Sequence, residues 1–510
     1  MEHANKGKIA KNTIFLYFRM LFVMGVSLYT SRVVLEILGI DDYGIYQSVG
    51  GIVGMLTFIN SALSTGTSRF ITFELGRNDQ EKLHQTFSTI VSLQLILILL
   101  IILAAETVGV WFVNNKLQIP EDAHAAALGA YHLSIFTTAI SLLSVPYLAA
   151  IIAHERMNVF AYLGIYEVSA KLGIVYLLTI GNYNRLVFYA FLLLVIQLTL
   201  TVFYITYCSR QFKECRYRPI LNWTIFKDIA GFSGWSLFAA TSNALNNQGV
   251  LVLLNMFFSP AVVTARAISL QVNNAANQFV SNFRTAVNPQ IVKQYAAGHL
   301  EESKALLLAS TKYSYYMMFL LSLPICLGAR PLLEIWLKDV PDYTVIFLQI
   351  VIVQSLFQVF DVSFYTALYA KGDLKMNALI SPTVGFLMFP IVYILFRHGA
   401  SPVVLSWASM LMYAIVGLII KPLLIVKIAD YDWREILDVF RPCFVISIIS
   451  GIFALLLVNQ IYLQGFLRLL LIVVICLIVS LPTIYFFGLT SDIRTKIILI
   501  VKSRLHLFRH

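Results

Sequence analysis

The sequence predicts an all-α polytopic membrane protein, and three observations carry that prediction. Apolar residues make up 59% of its 510 residues and charged residues only 12%, against about a quarter charged in a soluble domain. Mean hydropathy is +0.79. Runs of about 20 apolar residues, the length a helix needs to cross a bilayer core, follow one another nearly end to end.

The pattern yields about fourteen transmembrane helices. Their expected cores are 12–37, 43–68, 85–113, 124–152, 158–180, 186–207, 232–257, 261–288, 305–330, 343–369, 376–396, 402–426, 440–458 and 467–487. The first run starts at Ile14, exceeds a signal-peptide h-region and holds Arg19, so it reads as a retained helix. The longest internal loop on its side of the membrane, 208–231, divides the first twelve spans into two sets of six. An even number per set gives both the same orientation, as in parallel-repeat transporters. GRNDQEKLHQTFST (76–89) and GHLEESKALLLAST (298–311), after spans two and eight, echo one another faintly. The expected organisation is an N-terminal six-helix lobe at 1–209, a cytoplasmic linker at 210–231 and a second six-helix lobe at 232–430. The lobes would be related by a pseudo-two-fold repeat. Two further helices and a basic tail follow at 431–510.

Charge sets the orientation. Segments that face the cytoplasm with the N-terminus inside hold about 24 Lys and Arg, against about six on the other side. The cytoplasmic set includes Arg210, Lys213, Arg216 and Arg218 of the linker, and Lys421, Lys427, Arg434 and Arg441 around spans twelve and thirteen. Both termini are therefore expected in the cytoplasm. A pI near 9.3 reports this topology and not nucleic-acid binding. The five cysteines, Cys208, Cys215, Cys326, Cys443 and Cys476, form neither a disulfide framework nor metal-ligand spacing, Cys208 and Cys215 making only a weak zinc pair. No metal and no cofactor is expected.

Polar residues inside spans are costly, so they mark function or packing. The basic ones are Arg19, Arg32, Arg69, Lys171, Arg266, Arg284 and Lys312; the acids are Glu36, Glu106, Glu167 and Asp361. The excess is cationic. In span eight, Arg266, Asn273, Asn277 and Arg284 fall on one face at about 100° per residue, with Asn274, Gln278 and Asn282 beside them. A face that broad does not meet lipid and reads as a cavity wall; amide bonding between helices is the plainer alternative. Span seven adds Asn243, Asn246, Asn247 and Gln248. Span ten aligns Gln354, Gln358, Asp361 and Tyr365. Asp361, with Gln358, is either a protonatable or cation-coupling site for H+ or Na+, or the partner of a neighbouring Lys or Arg. Glu167 and Lys171 are placed to neutralise each other at i,i+4. Pro146, Pro324, Pro382 and Pro390 interrupt spans, and Gly50 with Gly54 makes a small-xxx-small contact.

Several stretches resemble the Wzx-type polysaccharide flippases of the multidrug/oligosaccharidyl-lipid/polysaccharide exporter (MOP) superfamily. They are SRVVLEILGIDDYGIYQSVGG (31–51), PYLAAIIAHERMNVFAYLGIYEVSAKL (146–172), FSGWSLF (232–238), ARAISLQVNNAANQF (265–279), NPQIVKQYAAG (288–298) and LLEIWLKDVPDY (332–343). The LGxxDYGxY pattern at Leu38, Gly39, Asp42, Tyr43, Gly44 and Tyr46 is the most specific among them. The resemblance spans about residues 8–430. It implies two six-helix lobes in a V around a central cavity, with two added helices. It also implies flipping of undecaprenyl-pyrophosphate-linked oligosaccharide repeat units from the cytoplasmic to the periplasmic face of a bacterial inner membrane by alternating access. Arg forks suit pyrophosphate and amides suit sugar hydroxyls. In related flippases cavity arginines of spans one, two and eight matter, which by span are Arg19, Arg69, Arg266 and Arg284 here. With Asn243, Asn247, Asn273, Asn277 and Gln278 they form the expected substrate-binding set. Membrane lipid and polysaccharide polymerase or ligase proteins are the partners this implies.

Two alternatives belong to the same superfamily. A cation-coupled multidrug antiporter should present acids, against the charge count, whereas a flippase of lipid-linked peptidoglycan precursor fits the charge equally well. A membrane glycosyltransferase or polymerase generally needs a long external loop, and the longest candidates, about 114–123 and 331–342, are short. The expectation is a transporter and not an enzyme. There is no GxxxxGK[ST] motif.

Overall fold

The computed structural model describes residues 2–56, 71, 74–75, 79–154, 156–180, 183–224, 226–227, 241–242, 244–373, 375–491 and 494–495, with side chains from Met20 onward apart from 157 and 286. Among these residues there are 15 helices and no strand. Each of the fourteen expected runs meets a helix, though 57–68 of run two and most of 228–243 in run seven lie outside the described residues. Ten helices are long and apolar enough to cross a membrane, and a bent pair makes an eleventh. The chain is a multi-pass membrane protein.

The helices group into two units, residues 1–267 with 385–402 and residues 268–384 with 403–510. The first unit holds α1 (Glu2–Leu38), α2 (Ile40–Leu56), α3 (Gln80–Lys116), α4 (Glu121–Ala153), α5 (Met157–Leu177), α6 (Arg185–Gln211) and α7 (Val250–Asn255). Here α4 packs along α6, α1 along α5, and α2 and α3 against α4. Helices α8 (Pro260–Ala296) and α12 (Lys375–Arg397) contribute residues to both units. The second unit adds α9 (Leu300–Leu327), α10 (Ala329–Trp336), α11 (Thr344–Lys371), α13 (Val403–Ala429), α14 (Trp433–Val458) and α15 (Gly465–Gly488). Its core stacks Phe360 between Tyr315 and Phe440.

Local chemistry fixes the helix ends. Asp79 caps α3 by accepting from the Lys82 N–H at 3.0 Å, Asn184 caps α6 through Val187 at 3.2 Å, and Asp432 with Glu435 forms a capping box on α14. The two echoing segments turn out to be the starts of α3 and α9. The prolines break less than expected: α4 and α12 run on through Pro146, Pro382 and Pro390. The sharp break is the 78° bend between α9 and α10, at Gly328, whose N–H reaches the Pro324 carbonyl at 2.8 Å.

Four π-turns interrupt the long helices, at Ala105–Gly109, Leu245–Gly249, Val416–Ile420 and Ile484–Gly488. Each contains a glycine that lies against a neighbouring residue. A methyl at Gly109 would come within 1.8 Å of the Tyr131 hydroxyl, which donates to the Ala105 carbonyl at 2.9 Å. A methyl at Gly417 would come within 2.4 Å of the Phe357 carbonyl oxygen. The extra residue of a π-turn loosens the hydrogen-bond ladder locally, and the missing side chain lets the neighbour take the space.

The LGxxDYGxY pattern is explained by packing in the first unit. Gly39 takes φ +83° and turns the chain from α1 into α2. Tyr43 is buried, and Tyr46 packs edge-on against Tyr189 at 5.1 Å. Thr264 donates to the Ile40 carbonyl at 2.6 Å, drawing the start of α8 so close that a methyl at Gly44 would lie 2.0 Å from the Pro260 carbonyl oxygen. A backbone oxygen cannot swing aside, so Gly44→Ala should destabilise by about 2 kcal/mol or more. Gly50→Ala, with nothing within 4 Å, should be neutral. Fluorescence-detected gel filtration of tagged variants checks both, and equal profiles would refute the packing account. The close-contact pair on α2 is thus Gly51 and Gly54, both against Gln248, and not Gly50 with Gly54.

Candidate functional site

In the second unit, the amide face of α8 divides into two stripes. Asn273 is buried, 5% exposed, and its Oδ1 accepts from Ser355 Oγ at 2.5 Å. Asn277 donates through Nδ2 to the same Ser355 Oγ at 3.0 Å and to the Asn273 carbonyl at 3.0 Å. These two asparagines therefore tie α8 to α11. One residue further round, Asn274 and Gln278 are exposed. Asn273 is as buried as its neighbour Val272 at 9%, and its amide is engaged in a helix–helix bond. The outer stripe is a better candidate, because exposed amides need a polar partner and not hydrocarbon. Cysteines at Asn274 and Gln278 should react with a membrane-impermeant maleimide about tenfold faster than cysteines at Asn273 and Val272. Equal rates at all four would remove the two-stripe account.

The charged centre of this unit lies on α11 and α13. Asp361 forms an ion pair with Lys421 at 3.1 Å, the lysine side chain being 3% exposed and the aspartate 21%. Lys421 also donates to Asn377 Oδ1 on α12 and sits over the Tyr365 ring, 5.2 Å from its centroid. Ser381 donates to that same Asn377 oxygen at 3.1 Å. Sequence reasoning placed Lys421 among the cytoplasmic loop charges. The structure corrects this, because α13 continues to Ala429 and Lys421 is well inside it. Its signal was present: a lysine between Gly417 and Pro422 within an apolar run. Of the two readings of Asp361, the ion pair is formed; Gln358, a turn away, is half-buried.

Arg284, on α8, is half-buried and within electrostatic reach of Asp361. Its Nη1 is buried and makes no hydrogen bond. A guanidinium nitrogen in that state keeps hydrogen-bonding capacity that the protein does not use. Arg266, in the first unit, is 2% exposed. The two expected arginines thus belong to different units.

The remaining expected contacts are in the first unit. Asn247 is exposed, in the π-turn Leu245–Gly249. Asn246 donates to the Ser242 carbonyl at 2.8 Å. Arg19 lies on α1, its side chain outside the described part, and Arg69 and Asn243 lie outside the described residues. Lys171 and Glu167 pair at 2.6 Å, and Glu106 meets His132 at 3.0 Å. Glu106, Glu167 and Asp361 thus each have a basic or histidine partner nearby. Cys208 and Cys215 are buried, and the Cys215 thiol, beside Cys208 and desolvated, is pushed well above its ordinary value. Among the described residues no group of three or more His, Cys, Asp or Glu is placed to hold a metal ion.

No family model and no curated protein matches the chain. Solved structures do. Lipid II flippase MurJ in an inward closed conformation superposes with TM-score 0.66 at 11% identity, over 93% of this chain and 98% of its own. A multidrug resistance MATE family transporter of the MOP superfamily, inward-facing, gives TM-score 0.65 at 14% identity over 80% and 95%. A MOP superfamily transporter from Pyrococcus furiosus, described as having a binding pocket of reverse polarity, gives 0.59 at 14% over 81% and 94%. The chain has the fold these transporters share.

Proposed function

We propose that this membrane protein is a flippase for a glycan carried on a lipid pyrophosphate, moving it from the cytoplasmic to the periplasmic face of a bacterial inner membrane. The observation that carries this reading is the unused donor on Arg284, a half-buried side chain whose Nη1 makes no hydrogen bond. The ion pair at Asp361 is already made by Lys421, which leaves the anion-binding capacity of Arg284 to a ligand. Exposed amides at Asn274 and Gln278 on the same helix suit sugar hydroxyls. An exporter of organic cations would want unneutralised acids, and Glu106, Glu167 and Asp361 each have a basic or histidine partner. The transporter fold and the motif resemblance agree with an oligosaccharide repeat unit as cargo.

A second reading is favoured by one observation, the near-full-length superposition on a lipid II flippase. Lipid analysis of a strain deleted for the gene separates the two. A surface-glycan flippase leaves an undecaprenyl-linked oligosaccharide accumulating on the cytoplasmic face and bare cells that still grow. A peptidoglycan-precursor flippase leaves lipid-linked muropeptide accumulating and cells that lyse. Neither lipid accumulating would end both readings.

A further inference from the structure

We infer that Asp361, Asn377 and Tyr365 form a monovalent-cation site in the second unit whose resident ion is the chain's own Lys421 ammonium. The donor set is that of a cation cage. Lys421 Nζ has a carboxylate oxygen at 3.1 Å, the amide oxygen of Asn377 as hydrogen-bond acceptor and an aromatic face 5.2 Å away. With one carboxylate the cage carries a single negative charge, which one monovalent cation neutralises.

Ser381 donates to the same Asn377 Oδ1 at 3.1 Å, a second donor to that amide oxygen. Three helices, α11, α12 and α13, each supply one wall or the occupant. The occupant is placed by packing: the π-turn Val416–Ile420 ends immediately before Lys421, and Gly417 within it rests on the Phe357 carbonyl, one turn before Asp361. A surface lysine samples many rotamers; this one, 3% exposed, has its charge held at a set depth. The tether excludes an alkali ion by occupying its place, so the site in the native chain binds neither Na+ nor K+. The inference stands on these contacts alone and holds whichever lipid-linked cargo is carried.

The test is thermal unfolding of the purified full-length protein in detergent, with NaCl, KCl and choline chloride exchanged at constant ionic strength. The wild-type melting temperature should be the same in all three. Lys421→Ala should melt lower in choline, and Na+ or K+ should raise it saturably by a few degrees, as should propylammonium, the fragment removed. Adding Asp361→Asn to Lys421→Ala should abolish that response. If Lys421→Ala does not accumulate, Lys421→Gln takes its place with the same expected response to alkali ions. A wild-type protein stabilised by Na+ or K+ over choline would overturn the inference. So would a neutral variant that ignores alkali ions and propylammonium alike. Substrate is absent throughout, so either failure leaves the flippase reading where it was.

Discussion

Arg284→Ala should cut delivery of polysaccharide to the cell surface roughly a hundredfold while the protein stays in the membrane at normal abundance. Charge-assisted hydrogen bonds contribute about 1.5–3 kcal/mol each, and losing one or two of them from a bound pyrophosphate costs about 3 kcal/mol. That is a factor of roughly a hundred in affinity. Folding should be spared because Nη1 makes no hydrogen bond in the protein. Lysine restores charge without the fork, so Arg284→Lys should fall between. Arg266→Ala should behave differently: at 2% exposed, that side chain fills space, and its loss should lower abundance first. Surface glycan measured beside immunoblots of membranes checks the series. Normal glycan from Arg284→Ala at normal abundance would remove the phosphate role.

Asp361→Asn should lose most of the folded protein. It leaves a lysine 3% exposed without a counter-ion, and breaking a buried pair from one side costs about 3–5 kcal/mol. Lys421→Met should cost less, because Asp361 is 21% exposed and has Arg284 within electrostatic reach. Joining Asp361→Asn with Lys421→Met removes both charges and should recover much of the abundance. Transport by that double variant then separates two roles for the pair. Wild-type transport would make it purely architectural. Recovered abundance without transport would make Asp361 part of the transport cycle. Failure of the double variant to recover over the single ones would mean that the pair is not what the two residues share.

Much of this fold is legible in the sequence, because a bilayer imposes length. The fourteen apolar runs meet helices, and Glu167 with Lys171 pair as i,i+4 spacing requires. What periodicity does not give is direction. Asn273, Asn277, Asn274 and Gln278 lie on one broad polar face by angle, yet the first two bond Ser355 and the last two are exposed. A 100° rule groups residues on a helix without saying which stripe meets a neighbour. Gly51 rather than Gly50 faces Gln248 for the same reason. Lys421 falls inside the expected 402–426 run, yet near its end it groups with the loop charges, and only its contacts with Asp361 and Asn377 set it apart from them. Asn377 had no signal of its own, being a single amide at a span start.

The π-turn ahead of Lys421 gives the chain one residue to spare before the cage. Everything after Val416–Ile420 is one residue out of phase with a plain α-helix, and one residue is about 100° of rotation. Deleting any one of those five residues would close the ladder and leave Lys421 facing Asp361, because the residue lost is the one the π-turn absorbs. The direction of the ammonium therefore tolerates a change of length in this stretch. Substitution at Lys421 itself, and not an insertion or deletion before it, is then the shortest genetic route between a site filled by its own chain and one left open to a free ion.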